Sequence, residues 1–189
     1  MIKYPNMKKT SATNLSTKAK TFGNRGQSFE DEINDANTYY LNNGKAVIFK
    51  KPTPIKVVRM TNDRLNPAKI TEAYFVQAST TDYNGLYRGK YIDFEAKETQ
   101  NKTLFPLANI HAHQIEHLAR IVKHGGIGFL LINFKAHQQV FLMDAAEVLK
   151  YYKTTKSIPY LDFKQKGKEI KVGYLVHVDY LKAVDEMYF

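Results

Sequence analysis

The sequence predicts an α/β fold in which a mixed β-sheet carries helices on both faces. The segment "IGFLLINF" (127–134) is a near-continuous apolar run of strand length, the pattern of a strand buried on both sides. The segment "YIDFEAKET" (91–99) alternates apolar and charged side chains, so each type occupies its own face of a strand. Apolar residues recur at helical spacing in 29–40 and in 111–124. Strands interleaved with helices favour a sheet covered by helices.

The first helix is predicted to begin after Ser28, because Ser28 and Asp31 form a Ser-x-x-Asp capping pattern. The sequence "NNG" at 42–44 ends this helix. A short strand, "KAVIFK" (45–50), follows and runs into two prolines, which exclude a central sheet position for the residues beyond it.

A projecting β-hairpin, or stalk, is predicted as an insertion at about residues 52–73. Its extended runs are "IKVVRM" (55–60) and "AKITEA" (68–73), joined by a turn-rich segment. Only two acids, Asp63 and Glu72, accompany its positive residues, which are Lys51, Lys56, Arg59, Arg64 and Lys69. The stalk should therefore present positive charge away from the body, although an ordinary solvated hairpin can have the same composition.

The remaining elements follow from turn residues, apolar runs and caps. A strand "YFVQAS" (74–79) is expected before the turn dipeptides "NG" (84–85) and "RG" (88–89), and two glycines stop the helix of 111–124. The elements predicted beyond 134 are, in chain order, a strand "QQVFLM" (138–143), a helix through Tyr152 with a capping box from Asp144 and Glu147, a charged loop (164–171), a strand near 172–178 and a final helix from Asp179.

Net charge favours a nucleic-acid partner, because a formal charge of +10 on 189 residues attracts polyanions. Residues 1–27 contain several Lys and Arg residues and no acid, as expected of a basic flexible arm that follows phosphates. The division expected is therefore this arm, 1–27, and a single domain, 28–189, that carries the stalk. The alternative is a basic protein whose lysines only maintain its solubility.

The expected location is the cytoplasm. The N-terminus lacks the apolar centre of a secretory signal, and no apolar run approaches the roughly 18 residues of a membrane span. The sequence has no cysteine, which excludes disulfides and thiolate metal sites and agrees with a reducing compartment.

The charged face of 91–99 suggests a reactive site. Asp82 precedes Glu95 and Lys97 in the order Asp, spacer, Glu-x-Lys. Two close carboxylates repel by about 4 kcal/mol at an effective dielectric near 20, and a bound divalent cation reverses that cost. Oxygen ligands select Mg²⁺ or Mn²⁺, and a neighbouring lysine can stabilise charge on a phosphate. The set could hydrolyse a phosphodiester, although a solvated strand face would look similar.

Four stretches carry a resemblance to a known family. They are "NRGQSFEDEIN" (24–34), "AVIFKKPTPIKVV" (46–58), "EAYFVQASTTDYNGLYRGKYIDFEAKETQNKT" (72–103) and "PLANIHAHQIEHL" (106–118). These stretches resemble the RecU family of Holliday junction resolvases, in the family's order, and the likeness extends to about residue 143.

The resemblance implies a restriction-endonuclease-like core of the PD-(D/E)XK type and a magnesium site, where Mn²⁺ can substitute. The residues that match the family's metal-binding positions are Thr80, Asp82, Glu95 and Gln114. Lys97 matches its transition-state-stabilising lysine, so Asp82, Glu95 and Lys97 are the implied catalytic set. Asp93 receives no ligand role and is expected to be solvated or paired with a lysine.

The resemblance also implies how DNA is bound. A homodimer would supply two active sites that nick a four-way junction symmetrically in recombination and repair, while the stalk enters the junction's centre. The candidate phosphate contacts are Arg25, Lys56, Arg59, Arg64 and Lys69. Other implied properties are binding of other branched DNA, a recombinase strand-exchange protein as partner and association with the nucleoid.

Two other functions remain open. "HQIEH" (113–117) has the His-x-x-Glu-His spacing of zinc peptidases, for which Glu186 is an available third ligand, although the helical wheel favours solvated histidines. The second alternative is a non-catalytic DNA-binding scaffold for recombination in which the acidic residues are structural.

Overall fold

A six-stranded mixed sheet forms the centre of the computed structural model, which describes residues 28–61, 68–76 and 80–189. Its strands, in spatial order, are β1 (Val47–Lys50), β4 (Tyr83–Tyr87), β5 (Lys90–Thr99), β7 (Ile127–Phe134), β8 (Gln139–Asp144) and β10 (Lys168–Ile170). All neighbours in this sheet pair antiparallel except β5 and β7, which are parallel. The predicted mixed sheet is confirmed.

Helices cover both faces of this sheet, as predicted. The helices of the described residues are α1 (Phe29–Asn42), α2 (Ala112–Lys123), α3 (Ala145–Thr154), α4 (Tyr160–Lys166) and α5 (Tyr180–Tyr188). Helices α1 and α5 share one apolar core with Ile92, Phe94 and Phe129, whereas α2, α3 and α4 share a second core with Leu130 and Ile132. Because side chains alternate along a strand, β7 is buried on both faces and β5 contributes apolar groups to the first core.

Local signals define α1 as expected. The Ser28 hydroxyl accepts from the Asp31 amide at 3.2 Å, and the Asp31 carboxylate accepts from the Ser28 amide, which completes a capping box. The helix buries Ile33 and Tyr40 against the sheet, and Gly44 follows it with a positive φ of 62°.

The predicted stalk hairpin is present. Strands β2 (Ile55–Thr61) and β3 (Lys69–Phe75) pair antiparallel in their own two-stranded sheet, and every side chain in them except Glu72 is exposed. The amide of Val76 donates to the carbonyl of Pro54 at 3.0 Å, which closes the root of the hairpin. A small sheet, β6 (Leu104–Pro106) with β9 (Ser157–Pro159), and a 3₁₀ turn (Leu107–Asn109) complete the described elements.

Two predictions around β4 are wrong. Tyr74 and Phe75 end β3 instead of starting a separate strand, and the rest of "YFVQAS" is Val76, outside any strand, and 77–79, outside the described residues. "NG" is not a turn, because Asn84 and Gly85 lie within β4; only "RG" turns the chain, with Arg88 and Gly89 both at positive φ.

The predicted C-terminal elements are partly wrong. Residues 164–171 are not a loop, because they include the end of α4 and the edge strand β10. Residues 172–178 form no strand; Tyr174 and Leu175 are both exposed there, so the alternation that fixes a strand face is absent. Asp144 does cap α3, accepting from the Ala146 amide at 2.7 Å, but the predicted capping box is not formed, and Glu147 pairs with Lys150.

Gly85 gives a stability prediction. A Cβ at this position would lie 2.1 Å from the carbonyl oxygen of Val47 and 2.6 Å from the Cα of Ile48, both backbone atoms of β1. We expect Gly85→Ala to lower the free energy of unfolding by about 1–3 kcal/mol, measured by denaturant titration. The control Gly128→Ala, whose Cβ would meet flexible side chains at 3.3 Å, should cost less. Equal losses in the two variants would contradict the close approach.

None of the described helices combines the length and the apolar character needed to cross a membrane.

Candidate active site

The structure brings Asp82, Glu95 and Lys97 together at the centre of the sheet. Glu95 lies in β5 and is fully buried, and its Oε2 accepts from the amide of Asp82 at 3.0 Å. The Lys97 ammonium contacts Oε1 of the same carboxylate and is partly exposed. Asp82 is half-buried and directly precedes β4, which pairs with β5. The spacing along the sequence therefore becomes one cluster.

Burial and Asp82 together raise the pKa of Glu95. Loss of water around the buried carboxyl is the largest cause, followed by a hydrogen bond between the Glu95 and Asp82 side chains and by repulsion from the Asp82 charge. Lys97 opposes these effects, and the pKa nevertheless rises from 4.5 to about 7. The protein thus holds two carboxyl groups in a pair that cannot easily carry two negative charges without a cation.

The donor set of this pair fits a divalent metal ion. Two carboxyl groups that disfavour a second negative charge would be stabilised by a hard divalent cation. Thr80 is half-buried two residues before Asp82. No group of three or more His, Cys, Asp or Glu forms a metal cluster within 28–61, 68–76 and 80–189, and the predicted set contains only two such residues.

Gln114, the fourth predicted metal-binding residue, caps its own helix. It is buried in the first turn of α2, a helix that packs against β5 and β7. Its Oε1 accepts from the His111 amide at 3.0 Å, which caps the helix. In the described residues it makes no hydrogen bond to Asp82 or Glu95, so a ligand role requires this capping bond to be shared or exchanged.

An open cleft adjoins the carboxylate pair. It has a volume of about 440 Å³ and is lined by Thr80, Thr81 and Asp82 on one side. Its other lining residues are Glu30, Lys50, Lys51, the proline segment 52–54 and Val76, next to the root of the stalk. Asp82 therefore lines an open space beside the hairpin.

Asp93 is the centre of a buried polar network. It was expected to be solvated or paired with a lysine, and the lysine pairing is confirmed, since Lys51 Nζ donates to its Oδ2 at 2.9 Å. The same oxygen accepts from the Tyr91 hydroxyl at 2.9 Å and lies 3.0 Å from His117 Nε2. Lys51 is thus held against the body, and its expected place among the cations presented by the stalk is wrong.

The predicted solvated histidine stripe is wrong for His113 and His117. Both are half-buried, and His117 meets Asp93 of β5. The zinc interpretation also lacks its third ligand. Glu186 lies on α5, which packs on the opposite face of the sheet, and it pairs with Lys168.

Three of the five candidate DNA contacts lie on the stalk. Lys56 and Arg59 are exposed on β2, and Lys69 is exposed at the start of β3. Arg64 and Arg25 lie outside the described residues, as does the whole of the predicted arm, 1–27.

The fold is a mixed sheet with helices on both faces, and Asp82, Glu95 and Lys97 lie together at its inner strands β4 and β5. The family model described as "Recombination protein U" matches residues 24–186. The chain belongs to this RecU family. The match extends beyond residue 143, where the resemblance of the motifs ended.

Several relatives are similar over nearly the whole chain. The Holliday junction resolvase RecU of Oceanobacillus iheyensis is 50% identical, with 98% of this chain and 99% of the relative covered. The proteins of the same name from Geobacillus kaustophilus and Shouchella clausii are 49% and 47% identical and cover 90% and 100% of this chain, with 88% and 95% of their own lengths covered. A solved structure, that of Archaeoglobus fulgidus Hjc, a Holliday junction resolvase, matches 75% of this chain and 95% of its own, with a TM-score of 0.46 and 12% identity.

Proposed function

We propose that this protein is a Mg²⁺-dependent endonuclease that resolves four-way DNA junctions by paired symmetric nicks in recombination and repair. The observation that carries the proposal is the contact between Asp82, Glu95 and Lys97 beside an open cleft. Membership of the RecU family, whose curated relatives are named Holliday junction resolvases, supports four-way junctions as the substrate.

Each residue of the site has a chemical task in this proposal. Asp82 and Glu95 hold the cation, with further oxygens from Thr80 and Gln114. When bound there, Mg²⁺ supplies Lewis-acid stabilisation of the phosphate and a more acidic water. The Lys97 ammonium, which contacts Glu95, would stabilise negative charge that develops on the scissile phosphate. Mn²⁺ has the same preference for oxygen ligands and should substitute.

The stalk and the arm would supply binding. Lys56, Arg59 and Lys69, together with Arg64 and Arg25, would contact phosphates, and residues 1–27 would act as a basic arm on the domain of 28–189. Exposed apolar side chains on the hairpin, such as Val58 and Phe75, support a working form in which DNA or another chain covers it. The shape of the junction, more than its sequence, would then be recognised.

Two nicks of like polarity require two active sites related by the junction's own two-fold symmetry. A homodimer supplies this relationship directly. We further infer that the enzyme works on DNA in the cytoplasm, at the nucleoid, and cooperates with a strand-exchange recombinase that produces its substrate.

The test is cleavage of a synthetic mobile four-way junction in the presence of Mg²⁺. We expect two nicks, symmetrically placed on opposed strands, and little cutting of a linear duplex of the same sequence. Tight junction binding without cutting would instead support the non-catalytic scaffold, and equal cutting of the duplex would contradict structure specificity.

The stalk gives a second prediction. The triple variant Lys56→Ala, Arg59→Ala, Lys69→Ala should bind the junction more weakly, with a salt dependence that is shallower by about 0.9 for each lost phosphate contact. The measurement is a junction-binding titration at several salt concentrations. The control replaces Lys135, Lys150 and Lys168, which each pair with a surface acid, by alanine. If both triple variants change the slope equally, general charge and not the stalk determines binding.

A further inference from the structure

The Asp93 carboxylate has four side-chain partners although it is inaccessible to solvent. Its Oδ1 accepts from the Thr81 hydroxyl. Its Oδ2 meets Lys51, Tyr91 and His117, at distances of 2.9, 2.9 and 3.0 Å. These partners come from the root of the stalk, the segment before β4, β5 itself and α2, so one buried charge joins four parts of the fold.

Two of these partners also hold the segment that carries Asp82. Thr81 is buried between Thr80 and Asp82, and its hydroxyl accepts from Lys51 Nζ at 2.9 Å while it donates to Asp93. The backbone amide of Lys51 donates to the carbonyl of Asp82 at 2.7 Å. Residues 80–82 are therefore fixed through both a side chain and the backbone.

The segment also approaches β5 directly. The Asp82 amide donates to the Glu95 carboxylate at 3.0 Å, and a single hydrogen bond of this kind is a weak restraint. The anchor at Thr81 lies on the residue next to Asp82, where it can prevent the segment from moving away from β5.

Folding stability alone does not explain the polar network around Asp93. A buried ion pair contributes little net stability relative to apolar side chains of similar volume, because both charges lose their hydration. Lys51 remains only 18% exposed while it is paired with Asp93. The lost hydration of these two charges is better explained if the network holds residues 80–82 in place than if it only stabilises the fold.

We propose that Asp93, acting through Thr81 and Lys51, is a positioning residue that holds residues 80–82 opposite Glu95 in the geometry that binds the metal ion. The positioning itself is a property of the metal-free protein, and only its consequence for metal affinity rests on the proposed function. Ligand-orienting groups outside the metal's own shell typically change metal affinity or activity by about 10–100-fold.

The test compares two substitutions at one buried position. Thr81→Val keeps the shape and removes the hydroxyl, whereas Thr81→Ser keeps the hydroxyl. Thr38→Val is the control, because it removes an exposed hydroxyl bond on α1 far from the site. Asp93→Asn is a further variant, which keeps the shape but cannot neutralise Lys51.

The first readout is hydrogen exchange of the Asp82 amide in metal-free protein, compared with the amide of Leu131 in the core. We expect the Asp82 amide to exchange about tenfold faster in Thr81→Val and Asp93→Asn, with Leu131 unchanged and Thr81→Ser like wild type. A general loss of stability would accelerate both amides, and unchanged Asp82 exchange in both variants would overturn the positioning.

The second readout is Mn²⁺ affinity by calorimetry. We expect Thr81→Val to bind Mn²⁺ at least about tenfold more weakly than wild type and Thr81→Ser. Faster exchange with unaltered Mn²⁺ affinity would overturn the role in metal binding. Failure of the wild type to bind Mn²⁺ would count against the proposed function and the metal role together, while the exchange result would still decide whether Asp93 positions the segment.

Discussion

The variants Asp82→Asn and Lys97→Ala are expected to bind a four-way junction about as tightly as wild type and to cut it far more slowly. Asp82→Asn removes one charge of the carboxylate pair, and loss of a cation there removes roughly 4 kcal/mol of transition-state stabilisation, or about 10³ in rate. Lys97→Ala removes one preorganised cation and should cost about 10²–10³. The measurement is the single-turnover rate at saturating protein, with binding determined separately in Ca²⁺.

A matched control is available on the same sheet. Lys135 lies in the turn that follows β7 and pairs with Glu98 at the surface, outside the cluster of Asp82, Glu95 and Lys97. Lys135→Ala therefore removes a cation of the same charge that does not belong to the site. It should cut like wild type. Undiminished cutting by both active-site variants would mean that the chemistry lies elsewhere, and loss of binding by both would mean that the site mainly binds DNA.

The second large effect is a dependence of stability on pH in the absence of divalent cations. Folding raises the pKa of Glu95 from 4.5 to about 7, chiefly through burial, so between these values the native state binds more protons than the unfolded state. The free energy of unfolding should therefore fall as pH rises from about 5 to 8, by roughly 3 kcal/mol at 1.36 kcal/mol for each pH unit.

The thermal midpoint reports this change, and Glu95→Gln isolates it. The metal-free wild type should melt roughly 4–8 °C lower at pH 8 than at pH 5.5 through this group alone, whereas Glu95→Gln should lose that part of the slope. Mg²⁺ should restore stability to wild type at pH 8, because the cation replaces the proton. A slope that is the same in both proteins would contradict the raised pKa.

Elements that are determined by residues close together in the sequence could be predicted from the sequence. The capping pair Ser28 and Asp31 and the helical spacing of Ile33 and Tyr40 defined α1, and the apolar run of β7 showed a strand buried on both sides. The dipeptide "NG" was wrongly predicted to be a turn, because only its own turn propensity was considered. Glycine is required at position 85 by the close approach of β1, whose residues are far away in the sequence.

The candidate site likewise has a part that could be predicted from the sequence and a part that could not. Asp82, Glu95 and Lys97 were found from their spacing and from the resemblance, and the structure brings them together. Lys51, Thr81 and His117 were not assigned to the site, because they meet at Asp93 only after three separate segments have packed. The order of polar and charged residues along the sequence does not indicate that these side chains form such a network.

The central claim is that the carboxylates of Asp82 and Glu95 hold one divalent cation. Crystals of the protein soaked in Mn²⁺ would test it directly through an anomalous difference map. One strong peak between the two carboxylates, absent in Asp82→Asn, is the predicted result. A peak at another position, or no peak at saturating Mn²⁺ above pH 7, would contradict it.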